Sequence, residues 1–96
     1  MKAASDFREG LHRRLQDPLY AVRYLNASLD SGDDGDFLFA LREVAQVHGG
    51  LRLLAGKAGL NREHLFRMLS KGGNPELHSL RQIVGALGYK LSLERV

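Results

Sequence analysis

The chain has 96 residues, of which 44% are hydrophobic and 26% charged, with a formal net charge of +3 and no cysteine. This length predicts one domain with a modest core, and the lack of cysteine excludes disulfides and thiolate chemistry. No apolar run reaches the roughly 18 residues of a membrane span and no signal peptide is recognisable, so we expect a cytoplasmic protein without a membrane partner.

An N-terminal extension of residues 1–16 carries one apolar stripe. Phe7, Leu11 and Leu15 recur every four residues among charged neighbours, which is typical of a short amphipathic helix. This helix could pack on its own domain, or the segment could dock on a partner protein or stay disordered. The sequence leaves these alternatives open.

Residues 17–96 form the predicted domain, which begins with a helix. Asp17 as N-cap and Pro18 at the first helical position predict a helix that runs to about Asp30. Its predicted apolar stripe consists of Leu19, Val22, Leu25 and Leu29.

A break rich in glycine and aspartate, residues 31–35, separates this helix from the next. Asp33 or Asp34 is expected to cap the following helix, which spans about residues 36–48 and ends at Gly49-Gly50. The aspartates do not form a calcium loop, because position 12 counted from Asp33 is Val44 rather than glutamate.

Residues 51–70 have the pattern of a helix-turn-helix. Ala55 is small enough to let two helices cross closely, and Gly59 can adopt the positive φ that a tight turn needs. Leu60 fills the turn, and Asn61 is a suitable N-cap for a second helix over residues 62–70. Leu54, Ala58, Leu65 and Met68 are the predicted inward positions. The alternative to a DNA-binding unit is an ordinary helical hairpin.

Charge is distributed unevenly along the chain. Residues 51–73 hold five basic side chains against one acidic one, whereas residues 26–43 hold five acidic side chains against one basic one. The net charges are therefore +4 and −4, and the positive charge is concentrated on the predicted helix-turn-helix. This asymmetry favours a polyanionic partner.

A last helix and a strand are predicted at the C-terminal end. Asn74-Pro75 repeats the cap-plus-proline start, and the helix runs over about residues 76–87, with Leu77 among its inward positions, before Gly88 ends it. Residues 89–94 then alternate apolar and polar, which is the period of a strand. The strand could pair with a second copy or with the sheet edge of a partner, or remain a surface tail.

The second helix of the motif would lie in the major groove, with its first residues nearest to the base edges. Its outward side supplies the candidate base contacts, Arg62, Glu63, Phe66, Arg67 and Ser70. The candidate phosphate contacts are Arg52, Lys57, Asn61 and Lys71. A single short helix binds weakly, so we expect a homodimer on an inverted repeat of double-stranded DNA.

Catalytic and metal-binding patterns are absent from the sequence. The four histidines, His12, His48, His64 and His78, lack ligand spacing, and the serines lack a triad or nucleophile-elbow context. Gly72-Gly73 is not part of a P-loop. We therefore expect no enzyme activity, no metal and no cofactor.

Residues 17–93 resemble the addiction-module antidote proteins, HigA-like antitoxins whose helix-turn-helix is related to phage repressors. The matching pieces are Asp17-Pro18, Tyr24-Leu25, Leu41-Arg42, Gly49-Gly50, Gly59-Leu60-Asn61-Arg62, Leu65-Phe66, Leu69-Ser70, Gly73-Asn74-Pro75 and Ala86-Leu87-Gly88. Asn61 stands where the family carries serine or threonine, and Phe66 where it carries tyrosine.

The residue patterns predict an all-α domain of five helices with a short C-terminal strand, with or without an extra N-terminal helix, and the resemblance implies that this domain is of the phage-repressor type. The resemblance also implies a bacterial antitoxin that neutralises a small ribonuclease toxin and represses its own operon. Two alternatives stay open: a stand-alone transcriptional regulator without a toxin, and a protein-interaction module whose helix-turn-helix is vestigial.

Overall fold

Six helices are present in residues 3–96, the part of the chain that the structure, a computed structural model, describes. They are α1 (Ala3–Arg14), α2 (Pro18–Asp30), α3 (Asp34–Val47), α4 (Gly50–Ala58), α5 (Arg62–Met68) and α6 (Leu77–Ala86). The all-α prediction is confirmed, and α1 is the N-terminal helix that the sequence left open. Met1 and Lys2 of the extension lie outside the described residues. None of the six helices is long and apolar enough to cross a membrane.

Side-chain caps set the start of three helices where the sequence predicted them. The carboxylate of Asp17 accepts from the Leu19 amide at 3.0 Å, and that of Asp33 accepts from the Gly35 amide at 2.8 Å. The amide oxygen of Asn61 accepts from the His64 amide at 3.1 Å. Each bond satisfies a backbone donor that the first helical turn leaves free.

The predicted start of the last helix at Asn74-Pro75 is wrong. Glu76 has an extended backbone, with φ −66° and ψ 152°, so α6 cannot begin before Leu77. The Glu76 side chain makes no capping bond. Leu77 was expected to face inward, but it lies on the first turn and is exposed.

The core is built around α3, which packs against α1, α2 and α4, while α4 also packs against α5 and α6. The largest fully buried side chains are Leu15, Leu41, Val44, Leu65, Leu69 and Ile83.

On α2 the predicted stripe is wrong for Leu19 and Leu29, which are exposed. Ala21 and Leu25, one turn apart, are the residues that α2 buries.

One charged residue, Glu43 of α3, is buried among the described residues, with its side chain 4% exposed. His12 Nε2 lies 2.7 Å from Glu43 Oε2, and Arg8 Nη2 donates to the same oxygen at 3.3 Å. Both partners belong to α1, which also buries Leu11, and Leu15 is buried directly after the end of this helix. The described part of the extension is therefore packed on its own domain through Leu11 and Leu15, but the predicted stripe is wrong for Phe7, which is 70% exposed. Burial raises the pKa of the nearby Tyr24 hydroxyl, and the charge of Glu43 raises it further.

Removing His12 is expected to destabilise this packing. His12→Ala leaves the buried Glu43 carboxylate with the longer Arg8 contact alone, and a hydrogen bond to a charged group contributes about 1.5–3 kcal/mol. Urea unfolding followed by circular dichroism should show that loss. The control is His78→Ala, an exposed histidine on α6, which should change stability by less than about 0.5 kcal/mol. Equal effects of the two changes would contradict the role given to Glu43.

The predicted C-terminal strand is not confirmed. Residues 89–96 have no regular secondary structure, and the described part of the chain contains no strand with which they could pair. The start of this segment is nevertheless fixed: the Tyr89 hydroxyl donates to the Pro18 carbonyl at 3.0 Å, and its amide donates to the Val84 carbonyl at 3.0 Å. The segment therefore leaves the domain beside the N-terminal end of α2.

Candidate nucleic-acid interface

Helices α4 and α5 are joined by a turn of three residues, 59–61, with the predicted geometry. Gly59 has φ 70° and ψ 30°, a left-handed conformation that favours glycine. The Leu60 amide donates to the Ala55 carbonyl at 2.9 Å, which closes the end of α4. Asn61 then caps α5 directly. The turn fixes the position of α5 relative to α4 through bonds to the backbone.

The inward side of this helical pair is apolar and buried as predicted. Ala55 and Ala58 are buried on α4, where their small side chains allow close approach of the neighbouring helix. Leu65 and Met68 are the buried residues of α5, and Leu60 packs against the core from the turn. These contacts hold one side of α5, so the opposite side faces solvent.

The solvent side of α5 carries four of the predicted base contacts. Arg62, Glu63, Phe66 and Arg67 are all exposed, and the Phe66 side chain is 52% exposed. Among the described residues, the ion pairs run to Glu43 from α1 and include neither arginine. Both guanidinium groups are therefore available to a ligand, and the Phe66 ring lies at the surface rather than in the core.

Ser70 does not join this group. The helix was predicted to extend to Ser70, but α5 ends at Met68 and Leu69 is its C-cap. The Ser70 hydroxyl donates to the Arg67 carbonyl at 2.7 Å, because the last carbonyls of a helix lack partners within it. Its donor is thus committed to the end of α5.

The predicted phosphate contacts fall into two groups. Arg52 and Lys57 are exposed on α4 and line one shallow groove of about 590 Å³, and Asn61 is exposed at the start of α5. Lys71 lies apart from Arg52 and Lys57, in a concavity of about 810 Å³ that it shares with exposed aspartates at the start of α3. The groove on α4 thus has no acidic lining residue, whereas the concavity at Lys71 has both aspartates and Arg42 in its lining.

Gly56, which the sequence motifs did not single out, lies in the groove between Arg52 and Lys57. It is exposed in the interior of α4, and apart from its chain neighbours and the backbone of its own helix no heavy atom lies within 4 Å of the position of an added Cβ. The sequence signal that could have identified Gly56 is its position inside a predicted helix, where glycine is unfavourable and no turn requires it. At Gly56 no side chain covers the backbone, so a ligand can approach it closely, while the exposed Leu53 also lines the groove.

Alanine substitution should have opposite effects on stability at Gly56, inside α4, and at Gly59, the C-cap of this helix. Gly56→Ala is expected to stabilise the protein by about 0.5–1 kcal/mol, because alanine restricts the unfolded chain and fits the helix. Gly59→Ala meets equally open space but must adopt φ 70°, and should destabilise by about 1–2 kcal/mol. Thermal unfolding of both variants measures this difference. Effects of the same sign would contradict the backbone description.

Metal-binding geometry is absent from residues 3–96: no three histidine, aspartate or glutamate side chains there could hold a metal ion together. The candidate interface is thus a surface of exposed arginines, one exposed aromatic ring and a basic groove.

A family model described as "Probable addiction module antidote protein" matches residues 8–95 of the chain. The match covers α2 to α6, the C-terminal segment and α1 from Arg8 onward. It therefore extends beyond residues 17–93, which carry the resemblance in the sequence. No curated protein and no solved structure matches the chain at a significant level.

Proposed function

Since the chain belongs to the probable addiction module antidote protein family, we propose that it is the DNA-binding antitoxin of a toxin–antitoxin module and represses its own operon. The observation that carries the DNA-binding part is the solvent side of α5, where two free arginines lie opposite the buried Leu65 and Met68. The basic groove of α4 lies on the neighbouring helix.

The dimensions of α5 suit the major groove of DNA. With its side chains an α-helix is about 10–12 Å in diameter, and the major groove is about 12 Å wide. The outward residues Arg62 and Arg67 can then donate in pairs to guanine, and Glu63 can accept from cytosine. The exposed ring of Phe66 can contact a thymine methyl group, which needs no hydroxyl.

Helix α4 is proposed to contact the DNA backbone. In a helix-turn-helix the first helix crosses the phosphates while the second enters the groove. Arg52 and Lys57 provide the charge for these contacts, and Gly56 between them leaves room for close approach. Contacts of this kind hold the protein in register without reading the sequence.

Removing the charges of α4 should weaken binding to every DNA sequence by a similar factor. For Arg52→Ala and Lys57→Ala, we expect the negative slope of log K against log salt concentration to become shallower. The change should be about 0.9 for each phosphate that the variant no longer neutralises. Anisotropy titrations at several salt concentrations measure this slope. Arg23→Ala, an exposed arginine on α2, serves as the control with the same charge change and should leave the slope unaltered.

Sequence-specific binding is tested by fluorescence anisotropy with two DNA fragments of equal length and composition. One carries the region upstream of the protein's own gene, and the other is its shuffled version. We expect at least about 10³-fold tighter binding to the first fragment. Equal affinities would contradict repression of its own operon, and absence of binding at low salt would contradict DNA binding altogether.

The toxin is proposed to be a small ribonuclease encoded beside this chain. Co-expression of both products should yield a complex in which RNA cleavage is suppressed. If DNA binding is found but the neighbouring product neither binds nor cleaves RNA, the protein is a stand-alone regulator. If the complex forms without DNA binding, it is an interaction module.

A further inference from the structure

We propose that residues 89–95 of two copies pair as antiparallel strands centred on Ser92, and that this ribbon is the dimer interface. A second copy is what a dimeric repressor needs, so the biological role of this interface rests on the proposed function. The existence of the interface does not rest on that function, because the dimer can be measured without DNA.

The backbone of this segment is free in the single chain. No backbone hydrogen bond between elements of the described chain involves residues 90–96, whereas Tyr89 still donates to Val84. Leu93 and Val96 are fully exposed. Alternating apolar and polar residues with unpaired backbone groups form a strand edge that another strand can complete.

The segment is held where a second strand could reach it. Tyr89 is fixed to the start of α2 by its hydrogen bond to Pro18. Leu91 lines a groove of about 590 Å³ between the segment and α2, which also includes Val22 and Leu29. Leu29 is an apolar residue of α2 that is 49% exposed. This groove lacks an apolar side chain that would cover it.

The identity of the partner follows from the segment's own complementarity. In an antiparallel pair centred on Ser92, Lys90 lies opposite Glu94 of the second copy, and each pair occurs twice by symmetry. On the other face, Leu91 lies opposite Leu93, and Tyr89 lies opposite Arg95. The leucine of the second copy is thereby brought to the uncovered groove beside Leu29.

Other registers lose this complementarity. A shift by one residue in the pairing places either Lys90 opposite Arg95 or Lys90 opposite Leu93. A parallel pair in register places Lys90 opposite Lys90 and Glu94 opposite Glu94, and like charges directly opposite are destabilising. The two charges therefore select both the antiparallel direction and the Ser92 centre.

Charge exchange tests the register by sedimentation equilibrium of the full chain without DNA. Lys90→Glu and Glu94→Lys should each weaken the dimer about 10-fold, because both pairs become like-charged. The double variant K90E/E94K should restore wild-type affinity. Both residues are exposed in the single chain, so its folding should not change. A double variant as weak as the single ones would overturn the register.

A cysteine scan tests the two-fold axis, and the chain offers a clean background because it contains no cysteine. Directly opposite Cβ atoms lie about 4.5–5.5 Å apart, close to disulfide geometry. Ser92→Cys should form a disulfide-linked dimer under mild oxidation, whereas Lys90→Cys, opposite Glu94, should not. A monomeric wild-type chain, or a dimer in which Ser92→Cys fails to cross-link, would overturn the interface. A dimer that cross-links at Ser92 but does not bind DNA would support this interface and contradict the proposed function.

Discussion

Replacing Arg62 and Arg67 together with alanine is expected to weaken binding to operator DNA by about 2–6 kcal/mol, from about 1–3 kcal/mol for each base contact that is removed. Both side chains are exposed on α5 and free of internal ion pairs, so their removal leaves the fold intact. Affinity for shuffled DNA should fall much less, because base contacts add little to non-specific binding. Anisotropy with both fragments measures the difference.

A double variant with the same charge change provides the control. Arg13→Ala with Arg23→Ala removes two exposed positive charges from α1 and α2, away from α5. We expect this control to bind the operator nearly as well as the wild-type chain at moderate salt. A similar loss in both double variants would show that binding depends on overall charge rather than on α5.

Truncating Leu65 should have the largest effect on stability. Leu65→Ala removes a fully buried side chain from the inward side of α5, and such changes cost about 2–5 kcal/mol. A domain of this size is stable by only about 5–15 kcal/mol, so this loss is a large share of its free energy of unfolding. Urea unfolding with circular dichroism measures the loss.

The adjacent residue distinguishes stability from recognition. Phe66→Ala removes a larger side chain that is 52% exposed, and we expect a change in stability below about 1 kcal/mol. The same variant should weaken operator binding, whereas Leu65→Ala acts on binding through the fold. A large loss of stability in Phe66→Ala would contradict the orientation of α5.

Local signals in the sequence predicted most of the fold. Asp17, Asp33 and Asn61 cap helices because capping involves residues two or three positions apart, and Gly59 adopts positive φ for a reason confined to its own backbone. The pairing of Glu43 with His12 was not predicted, since it joins residues 31 positions apart. Asn74-Pro75 matches the local cap-plus-proline pattern, but the extended backbone of Glu76 prevents a helix from beginning there.

The candidate site was predicted to a similar degree and for similar reasons. Because Leu65 and Met68 face inward, helical periodicity places Glu63, Phe66 and Arg67 on the outward side of α5. Ser70 was misplaced because the end of α5 is set by its C-cap rather than by periodicity. A C-terminal strand was expected from alternation, but a strand needs a partner, and the described single chain has none.

DNase I footprinting of the region upstream of the gene tests DNA recognition by this protein most directly. We expect a protected segment with two inverted half-sites, whose centres lie about one helical turn, roughly 34–36 Å, apart. The double variant of Arg62 and Arg67 should give no protection at the same concentration. Uniform protection of any fragment, or no protection at concentrations that saturate binding, would contradict sequence-specific recognition through α5.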